Sequence, residues 1–415
     1  MEICIHRGSR QIGGSCVELK SGGRSLIIDM GLPLDAEDDG ISHLPGLFLR
    51  KDAPDRILAV IISHSHLDHC GLVQHLPEGI PVIMGEFSRK IILAASPFIR
   101  GGLQALPQGP ALQHGKRFSI GPFSITPYLV DHSGYDAYAL LVEADGKRVF
   151  YSGDFRMHGR KSHITGHLMK NPPRDIDLLL MEGTSLGRSV PDQPVRTETD
   201  IENEFYSIFS EAKGLPLVHA SAQNIDRIVS LYRACLRSGR TLVLDLYSAV
   251  ILEAAGSGSI PQSDWQNIAL YIPQAQRVQI KRNGWFDILD RHSLRRIFPE
   301  QLEEHASRYV LLFRPAHIRD LELCGLAESA VYIYSQWKGY RDNDSYKPVA
   351  QFIGQNSITE YDVHTSGHAD MKTLVRFAAA LGAKSVSPIH TFEPERFSEL
   401  FSNAVVINDG EYRTI

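Results

Sequence analysis

Three histidines and one aspartate stand within six residues of the sequence, in the segment HSHLDH at positions 64–69. A run of apolar residues precedes them, which predicts a buried strand that ends where the cluster begins. Neutral imidazole and carboxylate are ligands that zinc and manganese accept. Alternate residues share a face, so the first two histidines can point toward one position, while Asp68 and His69 open a predicted helix and turn toward a second. The cluster therefore predicts a centre for two metal ions; the alternative is a histidine-rich surface loop.

The composition is that of an ordinary globular protein. The chain has 415 residues, of which 43% are hydrophobic and 22% charged, which suits two or three domains with sizeable cores. The first residues lack the apolar core of a signal peptide, and the longest apolar run is far shorter than the roughly 18 residues of a membrane span. Five cysteines without a CxxC pair fit a reducing compartment. We therefore expect a cytoplasmic protein that does not enter a membrane, and its net charge of −5 excludes a polycationic coat for nucleic acid.

Short strands separated by turns, with helices between them, are predicted up to about residue 155. The strands are expected at 16–19, 25–29, 57–63, 81–84, 123–130, 138–143 and 148–151, and the helices at 67–76 and 87–96. From about residue 186 strands and helices alternate, at 215–220, 225–236, 241–246, 309–313 and 330–335, as in a mostly parallel sheet. A strand at 361–363, a helix at 371–381, a strand at 384–388 and a hairpin at 404–415 follow. Two arrangements of this α/β chain are open: two adjacent domains, or one domain interrupted by another.

The motif HxHxDH after a strand resembles the signature of the metallo-β-lactamase fold. The family's other motifs occur in order, with DMG at 29–31 before it and DHSG at 131–134 and YSGD at 151–154 after it. By this resemblance one zinc ion is held by His64, His66 and His132, and the other by Asp68, His69 and His390, with Asp154 bridging the two. Asp29 would orient the ligand loop. The resemblance implies two zinc ions, with manganese as the alternative, and a hydroxide shared by both ions as the nucleophile.

Three further segments resemble the motifs of the β-CASP nucleases. DLLLMEGTSLG at 177–187 is similar to motif A, with Glu182 as its acidic residue, TSGHA at 365–369 to motif B, and SPIH at 387–390 to motif C. The resemblance, to ribonuclease J and to cleavage-and-polyadenylation-type endonucleases, covers nearly the whole chain. It implies an αββα sandwich with an inserted α/β cap domain, with limits at 1–186, 187–356 and 357–415. The substrate of these enzymes lies in the groove between the two domains.

The resemblance assigns roles that also make chemical sense. The residues expected to carry catalysis are Asp68, His368 and Glu182. His368 supplies a proton near the leaving oxygen at neutral pH, and Glu182 holds a neighbouring histidine in position. The alternative for His368 is a hydrogen bond within its own turn. Backbone N–H groups of Ser366, Gly367 and Ala369 are expected to meet phosphate at the start of the following helix.

Two features favour single-stranded RNA as the substrate and internal cleavage as the reaction. In the family, histidine at motif C goes with ribonucleases, so His390 favours RNA over DNA. Asp370 and Met371 depart from the ribonuclease J pattern, and an anionic side chain facing a terminal 5′-phosphate would repel it. The sequence therefore predicts a zinc-dependent phosphodiesterase, with an endonuclease favoured over a 5′-exonuclease. The rivals are a DNA nuclease, a small-molecule metallo-hydrolase of the same fold and an inactive partner subunit.

The expected cap carries six basic residues within 277–296, interleaved with Trp285 and Phe286. Basic groups beside aromatics suit a single nucleic acid strand, and a solvated helix face with buried aromatics explains them equally well. Lys338, in SQWKGY at 335–340, is expected to meet phosphate; the alternative is a loop around a core tryptophan. A homodimer is compatible with the sequence, since symmetric dimers are common.

Overall fold

The computed structural model describes residues 1–36, 40–99, 102–103, 106–188, 194–256 and 258–415. Contacts divide the chain into two compact units, one formed by Met1–Pro194 with Gly367–Ile415 and the other by Val195–Ser366. The second unit is thus a continuous segment that separates the two segments of the first. Both divisions lie later in the chain than the domain limits predicted at 186/187 and 356/357.

The described residues form the following elements. The strands are β1 (Glu2–Arg7), β2 (Cys16–Ser21), β3 (Arg24–Ile28), β4 (Ile57–Ile61), β5 (Val82–Gly85), β6 (Ala111–Leu112), β7 (Phe118–Ile120), β8 (Phe123–Leu129), β9 (Tyr138–Ala144), β10 (Lys147–Tyr151), β11 (Leu178–Glu182), β12 (Pro216–His219), β13 (Thr241–Leu244), β14 (Ile268–Tyr271), β15 (Arg296–Ile297), β16 (Tyr309–Leu312), β17 (Val331–Tyr334), β18 (Thr359–Asp362), β19 (Ser385–Ile389) and β20 (Tyr412–Thr414). The α-helices are α1 (Ala53–Arg56), α2 (Leu67–Cys70), α3 (Glu86–Ala95), α4 (Ser162–Lys170), α5 (Glu198–Glu211), α6 (Ile225–Ser238), α7 (Leu246–Ala255), α8 (Gln274–Asn283), α9 (Phe286–His292), α10 (Pro299–Glu304), α11 (Ile318–Leu323), α12 (Lys347–Gln355), α13 (Met371–Leu381) and α14 (Arg396–Leu400).

Two sheets packed face to face form the first unit. Their strand orders are β20-β1-β2-β3-β4-β5-β6 and β19-β11-β10-β9-β8-β7. Side chains alternate along β9, so Leu140 and Val142 join the core between the sheets, whereas Leu141 packs on the outer side with Phe377 of α13. The opposite outer face, on the first sheet, is covered by the segment around Leu72. This is the αββα sandwich that the resemblance predicted, and the α/β fold is confirmed.

The second unit contains one sheet in the order β15-β14-β13-β16-β12-β17-β18. All its strand pairs within the described residues are parallel. Strands such as β13 and β17 are almost entirely buried, as expected where helices cover both faces of a parallel sheet. The parallel sheet predicted from the alternating strands and helices is therefore present.

Three elements differ from the sequence prediction. The helix expected at 67–76 ends at Cys70 and a 3-10 turn follows, because the N–H of Leu72 donates to the carbonyl oxygen of Met30 (3.0 Å) rather than to a helix carbonyl. The hairpin expected at 404–415 is wrong, since β20 pairs with β1 instead. The strand expected at 361–363 is β18, which joins the sheet of the second unit rather than the returning segment of the first. Among the described residues, no helix has the length and apolarity needed to cross a membrane.

Candidate metal centre

The segment at 64–69, called the ligand loop here, follows β4 and includes the first three residues of α2, and backbone hydrogen bonds hold it in place. The carbonyl oxygen of Asp68 accepts from the N–H of Ser15 (3.1 Å), and that of His69 accepts from Met30 (2.8 Å). This close approach explains Gly31, because a Cβ atom there would overlap the carbonyl oxygen of Asp68. The motif DMG at 29–31 thus packs directly against the ligand loop.

Three imidazoles form the first cluster. The Nε2 atom of His64 lies 3.1 Å from Nδ1 of His66, and Nε2 of His132 lies 3.2 Å from the same atom. The three side chains present nitrogen atoms close enough to bind one ion. Burial lowers the pKa of all three imidazoles, and the neighbouring imidazoles lower it further. The neutral imidazole that results is the form that binds a metal.

A second cluster joins Asp68, His69 and His390. Oδ2 of Asp68 lies 3.2 Å from Nε2 of His390 and 4.0 Å from Nε2 of His69. Asp154 connects the two clusters, since its Oδ2 lies 3.1 Å from Nε2 of His69 and 3.8 Å from Nε2 of His64. Burial alone would raise the pKa of Asp154, but His390, His69 and His368 outweigh it and keep the pKa well below its ordinary range. The structure therefore brings all seven predicted ligands together.

Three buried polar atoms in this centre fit a metal ion. Nε2 of His69 and both carboxylate oxygens of Asp154 are shielded from solvent, and they make no hydrogen bond within the described residues. His69 and Asp154 approach each other without hydrogen-bond geometry. A buried carboxylate that accepts no hydrogen bond is unfavourable, and coordination to a divalent cation would remove that penalty. Imidazole and carboxylate donors without a thiolate suit zinc and manganese.

A buried carboxylate orients the ligand His69. Oδ2 of Asp29 accepts hydrogen bonds from Nδ1 of His69 (2.7 Å), from the hydroxyl of Tyr151 (2.7 Å) and from Oγ of Ser63 (2.8 Å), and Oδ1 accepts from the backbone N–H of Ser63 (2.7 Å). Because Nδ1 of His69 carries its proton toward Asp29, Nε2 is left as the metal-binding atom. The backbone of Asp29 has a φ of 59°, in the left-handed region.

Two other ligands are fixed in the same way. Nδ1 of His132 donates to the carbonyl oxygen of Gly367 (2.7 Å), and Nδ1 of His390 lies 2.8 Å from Oγ1 of Thr184. His390 also has a left-handed φ, of 55°. The supporting residues Ser63, Tyr151 and Thr184 were not predicted individually. Their signal in the sequence is a polar side chain directly beside a ligand motif, inside an otherwise buried segment.

His368 and Glu182 form a pair at the edge of the centre. Nδ1 of His368 lies 2.9 Å from Oε2 of Glu182, whose Oε1 accepts from the backbone N–H of Phe155 (2.8 Å). Burial alone would lower the pKa of His368, but the charges of Glu182 and Asp154 raise it to about 9. Glu182 is buried at the end of β11, whereas 22% of the His368 side chain is exposed. The pair therefore holds a protonated imidazole beside the metal ligands.

Gly367 and Ala369, two of the predicted phosphate-binding residues, make hydrogen bonds within the protein through their carbonyl oxygens. The carbonyl oxygen of Gly367 is used by His132, and that of the buried Ala369 accepts from Oγ of Ser185 (2.6 Å). Asp370, rather than these residues, caps α13 by accepting from the N–H of Thr373 (3.0 Å). Their contact with phosphate therefore stays a prediction.

The predicted contacts of the second unit also remain open. Ser366 belongs to this unit, and so does the exposed Lys338, which forms an ion pair with Asp362 (3.3 Å). In the basic segment, Arg277 pairs with Asp320 (3.5 Å), while Phe286 is 54% exposed rather than buried. An exposed aromatic ring beside basic residues is compatible with nucleic acid binding by this segment, which stays a prediction.

Comparison with known proteins identifies the fold of the centre. Residues 10–176 match the model of the metallo-beta-lactamase superfamily. Ribonuclease J of Mycobacterium tuberculosis is 26% identical over 243 residues, which cover 56% of this chain and 42% of that protein. Ribonuclease J of Helicobacter pylori is 23% identical over 244 residues, which cover 57% of this chain and 35% of that protein. The probable RNase MJ4 of Methanocaldococcus jannaschii is 26% identical over 219 residues, covering 46% of this chain and 47% of that protein.

These curated relatives are matched over less than half of their own length. A solved structure similar over the full chain is a protein of unknown function from Enterococcus faecalis V583, with a TM-score of 0.77 and 21% identity over 100% of this chain and 99% of that one. This likeness concerns the fold alone. The chain thus has the metallo-β-lactamase fold, and its resemblance to the β-CASP nucleases is confirmed.

Proposed function

We propose that this protein is a metal-dependent ribonuclease that cleaves phosphodiester bonds of single-stranded RNA with two zinc ions. The observation that carries the proposal is the convergence of seven ligand side chains beside the pair formed by His368 and Glu182. The similarity to ribonuclease J supports RNA as the substrate. His390, the residue that the resemblance associates with ribonucleases, lies in the same centre.

The residues divide into two ligand sets that share one carboxylate. One set is His64, His66 and His132, the other is Asp68, His69 and His390, and Asp154 lies between them. These residues would hold two divalent cations, which would supply an activated water and neutralise charge on the phosphoryl oxygens. Five imidazoles against two carboxylates favour zinc over manganese.

His368 would act as the general acid. Its Nδ1 faces Glu182, so its Nε2 is the atom that can donate a proton to the leaving oxygen. A pKa of about 9 keeps the imidazole protonated at neutral pH. Glu182 positions the ring and does not itself meet the substrate, because it is buried behind His368.

Internal cleavage is the proposed mode. Recognition of a terminal 5′-phosphate requires hydrogen-bond donors, and an ionised carboxylate is an acceptor only. Asp370 directs both oxygens to Thr373, with 3.0 Å to its N–H and 2.7 Å to its hydroxyl. The neighbouring Met371 packs against the apolar core of the unit. Neither side chain therefore provides a donor for a phosphate end.

One assay tests the proposal. RNA labelled at one end, with a 5′-monophosphate or a 5′-triphosphate, is digested with and without a chelator, beside a DNA strand of matched sequence. We expect internal cuts in both RNAs, little cleavage of DNA and none with chelator. The double variant Asp68→Ala/His69→Ala should be inactive, whereas Asp175→Asn, at an exposed position, should match the native protein.

Each rival predicts a different result in that assay. Equal cleavage of DNA would favour a DNA nuclease. Activity on a chromogenic ester or lactam without cleavage of RNA would favour a small-molecule hydrolase. A chain that binds two metal ions and RNA but never cuts would be a non-catalytic subunit. Cleavage only of the monophosphate end would refute the internal mode alone.

A further inference from the structure

A cluster of two aromatic and two basic side chains lies beside the metal centre in the first unit. The rings of Phe87 and Tyr135 meet edge to face, with centroids 5.8 Å apart. Nζ of Lys161 lies 5.1 Å from the centre of the Tyr135 ring, and Nζ of Lys90 lies 5.4 Å from that of Phe87. We call these four residues the aromatic platform. None of them is among the predicted ligands or the catalytic pair.

The platform is joined to the metal centre by short backbone links. Tyr135 follows the ligand His132 by three residues, and Nζ of Lys161 donates to the carbonyl oxygen of His132 (3.3 Å). Asp136 accepts hydrogen bonds from the backbone N–H groups of Phe87 (2.9 Å) and Ser88 (3.3 Å) at the start of α3. The hydroxyl of Ser88 donates to the carbonyl oxygen of Tyr135 (3.0 Å). Both rings are therefore held at a fixed place relative to the centre.

Packing of the core does not explain these two rings. Both are partly exposed, whereas Phe123 and Phe150 of the same unit are completely or almost completely buried. Glu86 pairs with Lys90 (2.6 Å) and offsets its charge. Partly exposed aromatic rings with a cation beside them suit a nucleobase and its phosphate.

We propose that the aromatic platform binds one nucleotide of the substrate strand next to the cleaved bond. The base stacks on Tyr135, whose ring meets that of Phe87 edge to face, and the ammonium group of Lys161 contacts the phosphate. This inference rests on the proposed function, because it assumes that the strand at the centre is a nucleic acid. The contact requires a base at this position, but any of the four bases can make it, because every base has a face that can stack.

The test is a double-mutant cycle between the protein and the substrate. The native protein and Tyr135→Ala are assayed on a set of single-stranded RNAs, each with one abasic position. Loss of a stacked base should lower kcat/KM by roughly 5- to 150-fold in the native protein, at one position near the cut. Tyr135→Ala should lower kcat/KM on intact RNA by a similar factor and should be insensitive to the abasic site at that position. Equal sensitivity of both proteins at every position would overturn the proposal.

Matched variants separate stacking from misfolding. Tyr135→Phe should keep the response to the abasic position, and Leu93→Ala, at an exposed position of α3 outside the platform, should behave as native. Phe87→Ala provides a second route if Tyr135→Ala binds less zinc than the native protein. In Lys161→Gln the slope of log affinity against log salt should become shallower by about 0.7, the value for one phosphate contact on a single strand.

A binding measurement keeps this inference distinct from the proposed function. If the native protein does not cleave RNA, the proposed function fails, and fluorescence anisotropy with a labelled RNA strand still compares the native protein with Tyr135→Ala. Weaker binding of the variant to the intact strand, with equal binding of both to the abasic strand, would support the platform. Equal affinities for the intact strand would refute it.

Discussion

Replacing Asp29 by asparagine tests how the centre selects the metal-binding nitrogen of His69. The substitution preserves the shape of the side chain, and asparagine tolerates the left-handed backbone with a φ of 59° at this position. It replaces an oxygen by an amide nitrogen, which can only donate. Any effect should therefore come from the hydrogen bonds rather than from strain.

The geometry allows two orientations of the new amide, and both are unfavourable. In the first orientation the amide oxygen accepts from the N–H of Ser63, and the amide nitrogen faces Nδ1 of His69. Nδ1 must then accept a hydrogen bond, so the imidazole proton moves to Nε2, the metal-binding atom. In the reversed orientation the amide nitrogen faces the backbone N–H of Ser63, and both groups are hydrogen-bond donors. Loss of such a supporting contact lowers metal affinity by roughly 10- to 100-fold, or about 1.4–2.8 kcal/mol.

The assay is a titration of zinc into metal-free protein in competition with a chromogenic chelator, for native protein and Asp29→Asn. The second binding step should weaken by the factor above, and RNA cleavage at limiting zinc should fall in parallel. Asp175→Asn is the matched control, because Asp175 is exposed and also has a left-handed φ, of 54°. Unchanged zinc affinity in Asp29→Asn would refute the role assigned to this carboxylate.

Four other outcomes are expected. Glu182→Gln removes a charge that raises the pKa of His368 to about 9, so the alkaline limb of the kcat profile should move to lower pH. Burial alone would raise the pKa of Glu18, but hydrogen bonds hold it at about 2, below the ordinary 4.5. The resulting stabilisation is present above pH 4.5 and lost toward pH 2, so Glu18→Gln should lower the free energy of unfolding at pH 7 by roughly 1–3 kcal/mol in urea unfolding. Gly31→Ala should cost about 1–3 kcal/mol and lower zinc content, because its Cβ overlaps the carbonyl oxygen of Asp68. Zinc at roughly a thousand times its Kd should stabilise the fold by about 4 kcal/mol in thermal unfolding, and chelator should abolish the shift.

Elements that the sequence predicts well are those with strong local signals. The apolar segment before the ligand loop is β4, and the amphipathic segment at 371–381 is α13 with the expected bounds. The helix expected at 67–76 fails because its later N–H groups find partners in the loop around Met30, which is distant along the chain. The terminal hairpin fails for a similar reason, since β20 pairs with the first strand rather than with its neighbour. Periodicity records local preference, and these partners are not local.

The same distinction separates the parts of the metal centre. HxHxDH is a dense local signal, and the resemblance extends it to His132, Asp154 and His390, which the structure gathers around one point. Supporting atoms have no comparable signal. Thr184 lies 206 positions before His390, and the acceptor for His132 is a backbone carbonyl, a group that every residue type carries. Side chains that bind a metal directly are restricted to a few types and so leave a pattern, whereas a group that only orients them can be any acceptor at the correct distance. The groups that orient the ligands are therefore identified only in the structure. The same holds for the aromatic platform, which is built from common residue types at 87, 90, 135 and 161.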